Sequence, residues 1–390
     1  MRIIDILLLL TLILAGFLWS HEYFWWLGPV FSLSLPIIVP LQRTKLLAYI
    51  YANAYFLSAV FPIVAGAGVF FGDNAAAHID GILLWLGASL ALSIPWIFSR
   101  NSWGLAIAML SVLIPPLAFF GWFSPLSAVG MLFPGSGLCG IFLLIALVIL
   151  LNQYIVSGFK VNRNILLFML FTSVMCNLDS HKQNEMNENQ PQQVRGVSTD
   201  YGKLSDSDFM SVINRNYRII NTAGEYKTAD ILVFPETLTD AGTGTYSQLS
   251  DAVPPGQTWL IGMNVPIGST LSDDVVELRH GQPTIVLFTT PLPVPISMWK
   301  PWSAAGQGAY SAAWVEQTKI IGGKRTAAVI CYDQLLPAVW LQLIFEHPQQ
   351  ILAVRNDWWV RNSGIDAIQN SSSRAFARFL GADLVTAENR

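Results

Sequence analysis

The segment TAAVICYDQ, Thr326 to Gln334, runs small and β-branched apolar residues up to a single cysteine, Cys331, followed by Tyr332 and an acid. The segment ADILVFPE ends in the same manner on Glu236, and ILAVRND ends on Asn356 and Asp357. A carboxylate beside a thiol is a base beside a nucleophile: it takes the thiol proton, and the thiolate attacks an acyl carbon to form a thioester. Packing is the plain alternative, since a free cysteine behaves as a small hydrophobe and a strand-end Glu can face water. An ionised Glu inside a buried strand, however, needs a partner or a chemical task.

Other chemistries find less support. His21, His78, His181, His280 and His347 have no metal-ligand spacing, and Cys139, Cys176 and Cys331 form no CxxC pair. No metal and no cofactor is therefore implied, and a papain-like Cys and His pair is disfavoured. The glycine segments AGAG and FPGSG fall inside apolar runs, where Gly serves helix packing or a kink rather than phosphate binding. With 22 Lys and Arg against 25 Asp and Glu there is no basic excess to bind nucleic acid.

The elements that must carry these residues alternate between strand and helix. VRGVST reads as extended, and Ser205 opens a helix in which Phe209, Val212, Ile213, Tyr217 and Ile220 share a face. ADILVFPE, TWLIGMNV, TIVLFTT, TAAVICYD and ILAVRND read as strands. LLPAVWLQLIF reads as a helix with Pro337 in its first turn, and a second helix runs through Ala375 to Phe379 before ADLVTAENR. This is an α/β domain over residues 194–390 with Glu236, Cys331, Asn356 and Asp357 at strand C-terminal ends, the edge where ligands of layered α/β folds collect.

The first half differs in kind. The chain is 53% hydrophobic and 12% charged, and the apolar residues are concentrated before about residue 178. Seven candidate spans fall near 3–19, 23–40, 46–72, 80–98, 103–121, 126–151 and 165–178, which makes residues 1–178 a transmembrane bundle. The first is read as a retained anchor rather than a cleaved signal. Residues 179–193, rich in Asn and Gln, read as a polar linker. Arg2, then Arg43 and Lys45, then Arg100, then Lys160 and Arg163 occupy alternate breaks, which places those breaks in the cytoplasm and everything after residue 178 in the periplasm of a Gram-negative cell.

ILVFPET, AAVICYD and VRNDWW, in that order behind a multi-span region, resemble the nitrilase (carbon-nitrogen hydrolase) superfamily and its membrane branch, the apolipoprotein N-acyltransferases. PVPISMWKPW and the ND-W-W pairing resemble the TraB family of conjugal-transfer proteins. The resemblance implies a nitrilase-like αββα sandwich with Cys331 as nucleophile and Glu236 as general base. It also implies substrate contacts from Tyr332, Asn356, Trp358 and Trp299. The family's third member, a lysine that stabilises the oxyanion, is not matched: aligning on Pro295 puts Thr290 in its place and Met298 where a glutamate follows. Lys300 in the same loop is the substitute candidate, a solvent-facing lysine being the alternative.

Trp299, Trp302 and Trp314 in a Pro- and Gly-rich loop suggest a lid lying against the bilayer. The family continues beyond the point matched by Arg390, so the domain closes early or the sequence is truncated. Three functions follow as expectations. The first is acyl transfer from a membrane lipid to an unknown amine acceptor, and the second is hydrolysis of a small amide. The third is a catalytically degenerate nitrilase fold with a binding or assembly role beside conjugation proteins.

Overall fold

The computed structural model describes residues 3–72, 74–157, 163–188, 193–204, 209–302, 309–315, 317–360 and 363–390; Arg2, Lys160 and Ser205 lie outside them. The chain divides into two compact units.

The first unit comprises residues 1–186 with 335–344 and 360–382. Among the described residues three helices are long and apolar enough to cross a membrane, Ile3–Ser20, Ala75–Phe98 and Gly137–Val156. Lys45–Val60 and Ile63–Phe70, bent by 45° at Phe61 and Pro62, make a fourth if taken as one span. These helices support a multi-pass topology, with fewer unbroken spans than the seven read from apolar run length. The difference has a local cause. Pro29, Pro36 and Pro40 divide the run at 23–40 into short helices, and Pro115 and Pro116 follow Ser102–Leu113; proline lacks the donor and clashes with the preceding turn. The run at 165–178 lies within one helix, Arg163–Glu188, which continues through residues read as linker because no Pro or Gly interrupts it.

Leu7, Leu10 and Leu14 of the first helix point outward and exposed, as lipid-facing residues do. Its inner face meets Lys45–Val60 closely at Gly16, where a Cβ would stand 2.5 Å from the Tyr55 carbonyl oxygen. Trp19 Nε1 donates to the Tyr55 hydroxyl at 2.9 Å, and that hydroxyl donates to the Phe123 carbonyl at 2.9 Å, so these two buried polar groups satisfy each other and the backbone inside the bundle.

Two helices from the C-terminal half, Pro337–Glu346 and Ile365–Leu380, group largely with these N-terminal helices rather than with the sheets. The domain drawn at 194–390 from composition therefore differs from the compact units. The helix Ile365–Leu380 lies so close to Gly130 that a Cβ there would be 1.7 Å from the Ala375 carbonyl oxygen. Arg378 Nε donates to the Gly130 carbonyl at 3.2 Å and its Nη2 to Asn177 Oδ1 at 2.7 Å.

The second unit comprises residues 187–334, 345–359 and 383–390 and holds two sheets. One contains β1 (Val194–Gly196), β2 (Ile231–Val233), β4 (Thr258–Ile267), β5 (Thr270–Arg279) and β6 (Ile285–Thr289) in that order, with β3 (Thr239–Asp240) also on β4. Its β1, β2 and β4 run parallel, and β5 and β6 return antiparallel. The other has the order β10 (Asp383–Asn389), β9 (Gln350–Asn356), β8 (Lys324–Ile330), β7 (Thr318–Ile321), parallel except for β7.

Alternation along the strands builds two cores. Val233, Leu260, Val275 and Phe288 of the first sheet pack with Ala328, Ile330, Leu352 and Val354 of the second. Their neighbours Leu232, Trp259, Ile261 and Val276 face the opposite way, onto Ile219, Ala223 and Leu249 of the helices Phe209–Ala223 and Thr243–Ala252 and onto Val253 just past the second. The first of these helices is rotated from the expected face: Tyr217 is exposed while Arg215 and Asn216 are buried. Their side chains are satisfied there, Asn216 by Thr239 and Gln248 and Arg215 by carbonyls including that of Leu238.

Gly262 on β4 fixes the chain that leaves β2. Its N–H donates to the Pro235 carbonyl at 3.1 Å and its carbonyl accepts from Leu238 N–H at 2.9 Å, while a Cβ would stand 2.4 Å from the Glu236 Cα. Gly262→Ala is expected to destabilise by about 1–3 kcal/mol, the usual cost of overpacking a closed site. Thermal unfolding of the full chain in detergent checks this, and an unchanged midpoint would contradict the close approach.

Candidate active site

Three strand ends meet. After β2 the chain passes through Phe234 and Pro235 to Glu236, whose carboxylate is buried and accepts the Asn356 N–H at 2.9 Å from the end of β9. After β8 comes Cys331, buried, with φ +46°, opening the short 3-10 helix Cys331–Leu335. A left-handed backbone at a non-glycine residue costs of order 1–3 kcal/mol and is held only where surroundings enforce it. The turn swings the thiol out of the strand to meet Glu236, to which it donates a hydrogen bond. Asn356 is fixed on its other side, its amide donating to Thr237 Oγ1 at 3.1 Å and its oxygen accepting from Asn389 of β10 at 2.8 Å.

A fourth strand adds a carboxyl that the sequence reading did not single out. Asp273 of β5 is buried and hydrogen-bonded to Glu236. The run LSDDVVELR, with adjacent acids between apolar residues, was the available signal. Burial pushes Asp273 well above the usual carboxylate range, and the neighbouring Glu236 carboxylate pushes it further, so Asp273 holds its proton and donates it to Glu236. Burial raises Glu236 to about 7 against the lowering effect of hydrogen bonds from Asp273, Cys331 and the Asn356 N–H. The Cys331 thiol is pushed well above its ordinary value by burial first, then by Glu236, with Asp357 and Asp273 adding to it.

Thr290, at the expected lysine position, lies inside this constellation. Its N–H donates to the Asp273 carbonyl at 2.9 Å, and its hydroxyl donates to Asp333 Oδ2 at 2.7 Å. Asp333, two residues after Cys331, also accepts the Leu292 N–H at 3.2 Å, and burial raises it to about 8. The guanidinium of Arg355 is committed elsewhere, to Asp357 at 2.5 Å and to Glu388.

The remaining candidates occupy less central positions. Lys300 is half-buried just after the bridge between Pro295 and Trp299, and makes no hydrogen bond or ion pair among the described residues. Trp299 packs edge-on against Trp314 with ring centroids 5.1 Å apart. Trp358 carries the Lys203 ammonium over its ring at 5.5 Å, and Tyr332 is buried beside Cys331. Trp302 is 67% exposed, and residues 303–308 of the expected lid lie outside the described ones. Among the described residues no cluster of three His, Cys, Asp or Glu side chains is arranged to hold a metal ion.

The chemistry available is therefore a base in contact with a thiol, in a pocket of carboxyls. Proton transfer from Cys331 to Glu236 would create a thiolate facing Asp273 and Asp357 without a cation from Thr290 to balance it. Asp333 gives this electrostatic picture a measurable consequence. Its folded value of about 8 lies above the roughly 3.9 of a free Asp, so the folded state keeps a proton that the unfolded state releases. The associated stability is complete below about pH 4 and is lost as pH rises toward 8. Asp333→Asn should flatten the stability profile between pH 5 and 8 by about 1.4 kcal/mol per pH unit relative to wild type. Chemical unfolding across that range checks it; parallel profiles for the two proteins would refute the buried proton.

No family model matches the chain. The "Probable conjugal transfer protein TraB" of Sinorhizobium fredii is 27% identical over 374 residues, covering 92% of this chain and 92% of that protein. The "Conjugal transfer protein TraB" of Agrobacterium fabrum is 27% identical over 409 residues, covering 99% of this chain and 93% of that one. Among solved structures, an amidase from Nesterenkonia sp. aligns with 15% identity and a TM-score of 0.36, covering 50% of this chain and 74% of its own. A glutamine-dependent NAD+ synthetase from Acinetobacter baumannii aligns with 14% identity and a TM-score of 0.30, covering 42% of this chain and 32% of its own. The chain is thus similar over nearly its whole length to two conjugal transfer proteins.

Proposed function

We propose that this chain is an inner-membrane component of a conjugal-transfer apparatus, with its two-sheet domain on the periplasmic side as a binding or assembly element. The nitrilase-like Glu and Cys frame is retained in it without acyl-transfer activity. The similarity to two conjugal transfer proteins supports the setting. One observation supports the loss of catalysis: Thr290 stands where the resemblance asks for a lysine, its hydroxyl is committed to Asp333, and the thiol beside it faces carboxyl groups. Removing one oxyanion donor costs on the order of a hundredfold or more in rate, and here the surrounding charge also opposes the thiolate that must form first.

A second reading keeps the enzyme, because Cys331 adopts a strained backbone that aims its thiol at a base of near-neutral pKa. In that reading the Cys331 sulfur attacks the carbonyl carbon of a membrane lipid ester while Glu236 takes the thiol proton. The lipid alkoxide leaves with that proton, and an amine then displaces the thiolate from the thioester. Lys300 is the cation this reading would call on, with Tyr332, Asn356, Trp358 and Trp299 contacting substrate.

Cys331→Ala decides between the two. On the assembly reading, conjugation frequency stays within about twofold of wild type in cells expressing the variant at equal level; a drop of tenfold or more would transfer the proposal to acyl transfer. Alkylation of Cys331 supplies an independent check. With its pKa raised, the thiolate fraction at pH 8 is small, so iodoacetamide should label the folded chain at least tenfold more slowly than the unfolded chain. Rapid labelling that saturates below pH 7 would mean an activated thiolate and would contradict the assembly reading.

A further inference from the structure

The loop between β6 and β7 is tied down on both flanks, yet it turns apolar side chains outward. The Ala309 carbonyl accepts the Leu271 N–H at 3.0 Å and the Ser311 N–H donates to the Leu271 carbonyl at 2.9 Å, which lays this part of the loop along β5. The Tyr310 hydroxyl donates to Asn264 Oδ1 of β4 at 2.8 Å, and the Tyr310 N–H donates to the Met298 carbonyl at 2.9 Å, joining the two described arms of the loop. Trp314 N–H donates to the Pro291 carbonyl at 3.0 Å, and the Trp299 and Trp314 rings pack edge-on across the same junction.

Around that pair of rings the apolar residues face out. Ile296 is 59% exposed, Trp302 67%, Trp314 49% and Val315 61%. Ile296 and Trp314 hold φ of +72° and +65°, left-handed values that a residue with a Cβ adopts only where its surroundings enforce them, a branched one least readily. At both places the enforced conformation leaves a large apolar side chain in the open. An apolar cluster on a loop fixed this way marks a contact surface.

Composition selects the partner. From Leu278 to Val315 the sequence contains no Asp or Glu, while Lys300 lies between Trp299 and Trp302 and makes no hydrogen bond or ion pair among the described residues. Indole rings with a lysine and no acid suit the headgroup zone of an anionic bilayer, where the amphipathic ring rests and the lysine stem carries its ammonium to the phosphates. The chain also has its own membrane-length helices, so a bilayer is within tether reach and a weak interfacial affinity is enough.

We propose that the tip formed by Ile296, Trp302, Trp314 and Val315 docks onto an anionic phospholipid surface, its side chains entering the interfacial zone and Lys300 meeting lipid phosphates. This assigns Lys300 to the membrane rather than to Cys331, and it holds whether or not the Glu236 and Cys331 frame is catalytic.

The test uses the full chain with Cys139, Cys176 and Cys331 replaced by serine, reconstituted in nanodiscs of phosphatidylglycerol and phosphatidylcholine. A fluorophore is attached at Trp302→Cys or, as the reference, at Tyr217→Cys, an exposed position on the helix Phe209–Ala223. The label at 302 should be quenched at least threefold more than the reference by a nitroxide on the lipid, and at least threefold less by aqueous iodide. Lys300→Gln should lower the ratio of docked to undocked loop about fivefold, the scale of one cation at an anionic surface, and so should discs of phosphatidylcholine alone. Equal iodide quenching at the two positions would overturn the proposal and leave the patch to a protein partner. Protection from iodide without nitroxide quenching would also overturn it, because protein rather than lipid would then cover the tip, and an unchanged ratio for Lys300→Gln would overturn the phosphate contact. Where the serine substitutions prevent folding, the native chain and Trp302→Phe are compared in brominated lipid. The emission that Trp302 contributes, taken as the difference between the two, should be quenched, and an unquenched difference would overturn the docking.

Discussion

A carboxyl group buried where two β-sheets face each other must be hydrogen-bonded or protonated, and Glu236 imposes that demand on every element around it. The Asn356 N–H at the end of β9, the protonated Asp273 of β5 and the Cys331 thiol at the end of β8 all donate to it. Two of these donors and the acceptor itself are each fixed by a further constraint. Asn356 is clasped between Thr237 and Asn389, Cys331 is held in a left-handed conformation, and Glu236 depends on the missing side chain of Gly262. Two sheets that share an apolar interior thus also share one polar knot, and the knot fixes how the strand ends register across that interior.

The membrane unit follows a different rule. In hydrocarbon the backbone must satisfy itself, so apolar runs become helices, and prolines decide how long each lasts. Polar side chains in this unit turn back to carbonyls: Ser89 bonds to Trp85, Ser93 to Ser89 and Asn177 to Ser173. Among the described residues of this unit, the Ser34 hydroxyl and Asn152 Oδ1 depart from that pattern, each buried without a hydrogen-bond partner.

Much of this was legible in the sequence, for identifiable reasons. Cys331, Glu236 and Asn356 were visible because each terminates a run of buried strand residues, and a polar residue there has few ways to be accommodated. Asp273 was not, because LSDDVVELR mixes acids into the middle of a strand, and only the three-dimensional neighbour Glu236 explains how one of them remains buried. Tyr217 was assigned inward from its spacing, yet Arg215 and Asn216 take the buried face because Thr239, Gln248 and the Leu238 carbonyl satisfy them; periodicity counts apolar residues and cannot count hydrogen-bond partners. The extent of Arg163–Glu188 was missed for a related reason. A polar composition reads as linker, whereas helix continuation depends on the absence of Pro and Gly.

Thr290 brings no cation to Asp273 and Asp333, the buried acids that it bonds to, through its N–H to the Asp273 carbonyl and through its hydroxyl to the Asp333 carboxyl. Here the compensation comes from protons instead of a cation. Asp273 holds one, Asp333 holds one near neutrality, and Glu236 titrates at about 7, so the site can be close to neutral without any ammonium group. A lysine would stabilise negative charge as it develops during a reaction, whereas bound protons only cancel charge in the resting state. The Thr290 to Asp333 hydrogen bond ties the chain after β6 to the turn that follows Cys331, and burial together with the neighbouring carboxyls holds the proton on the Cys331 thiol.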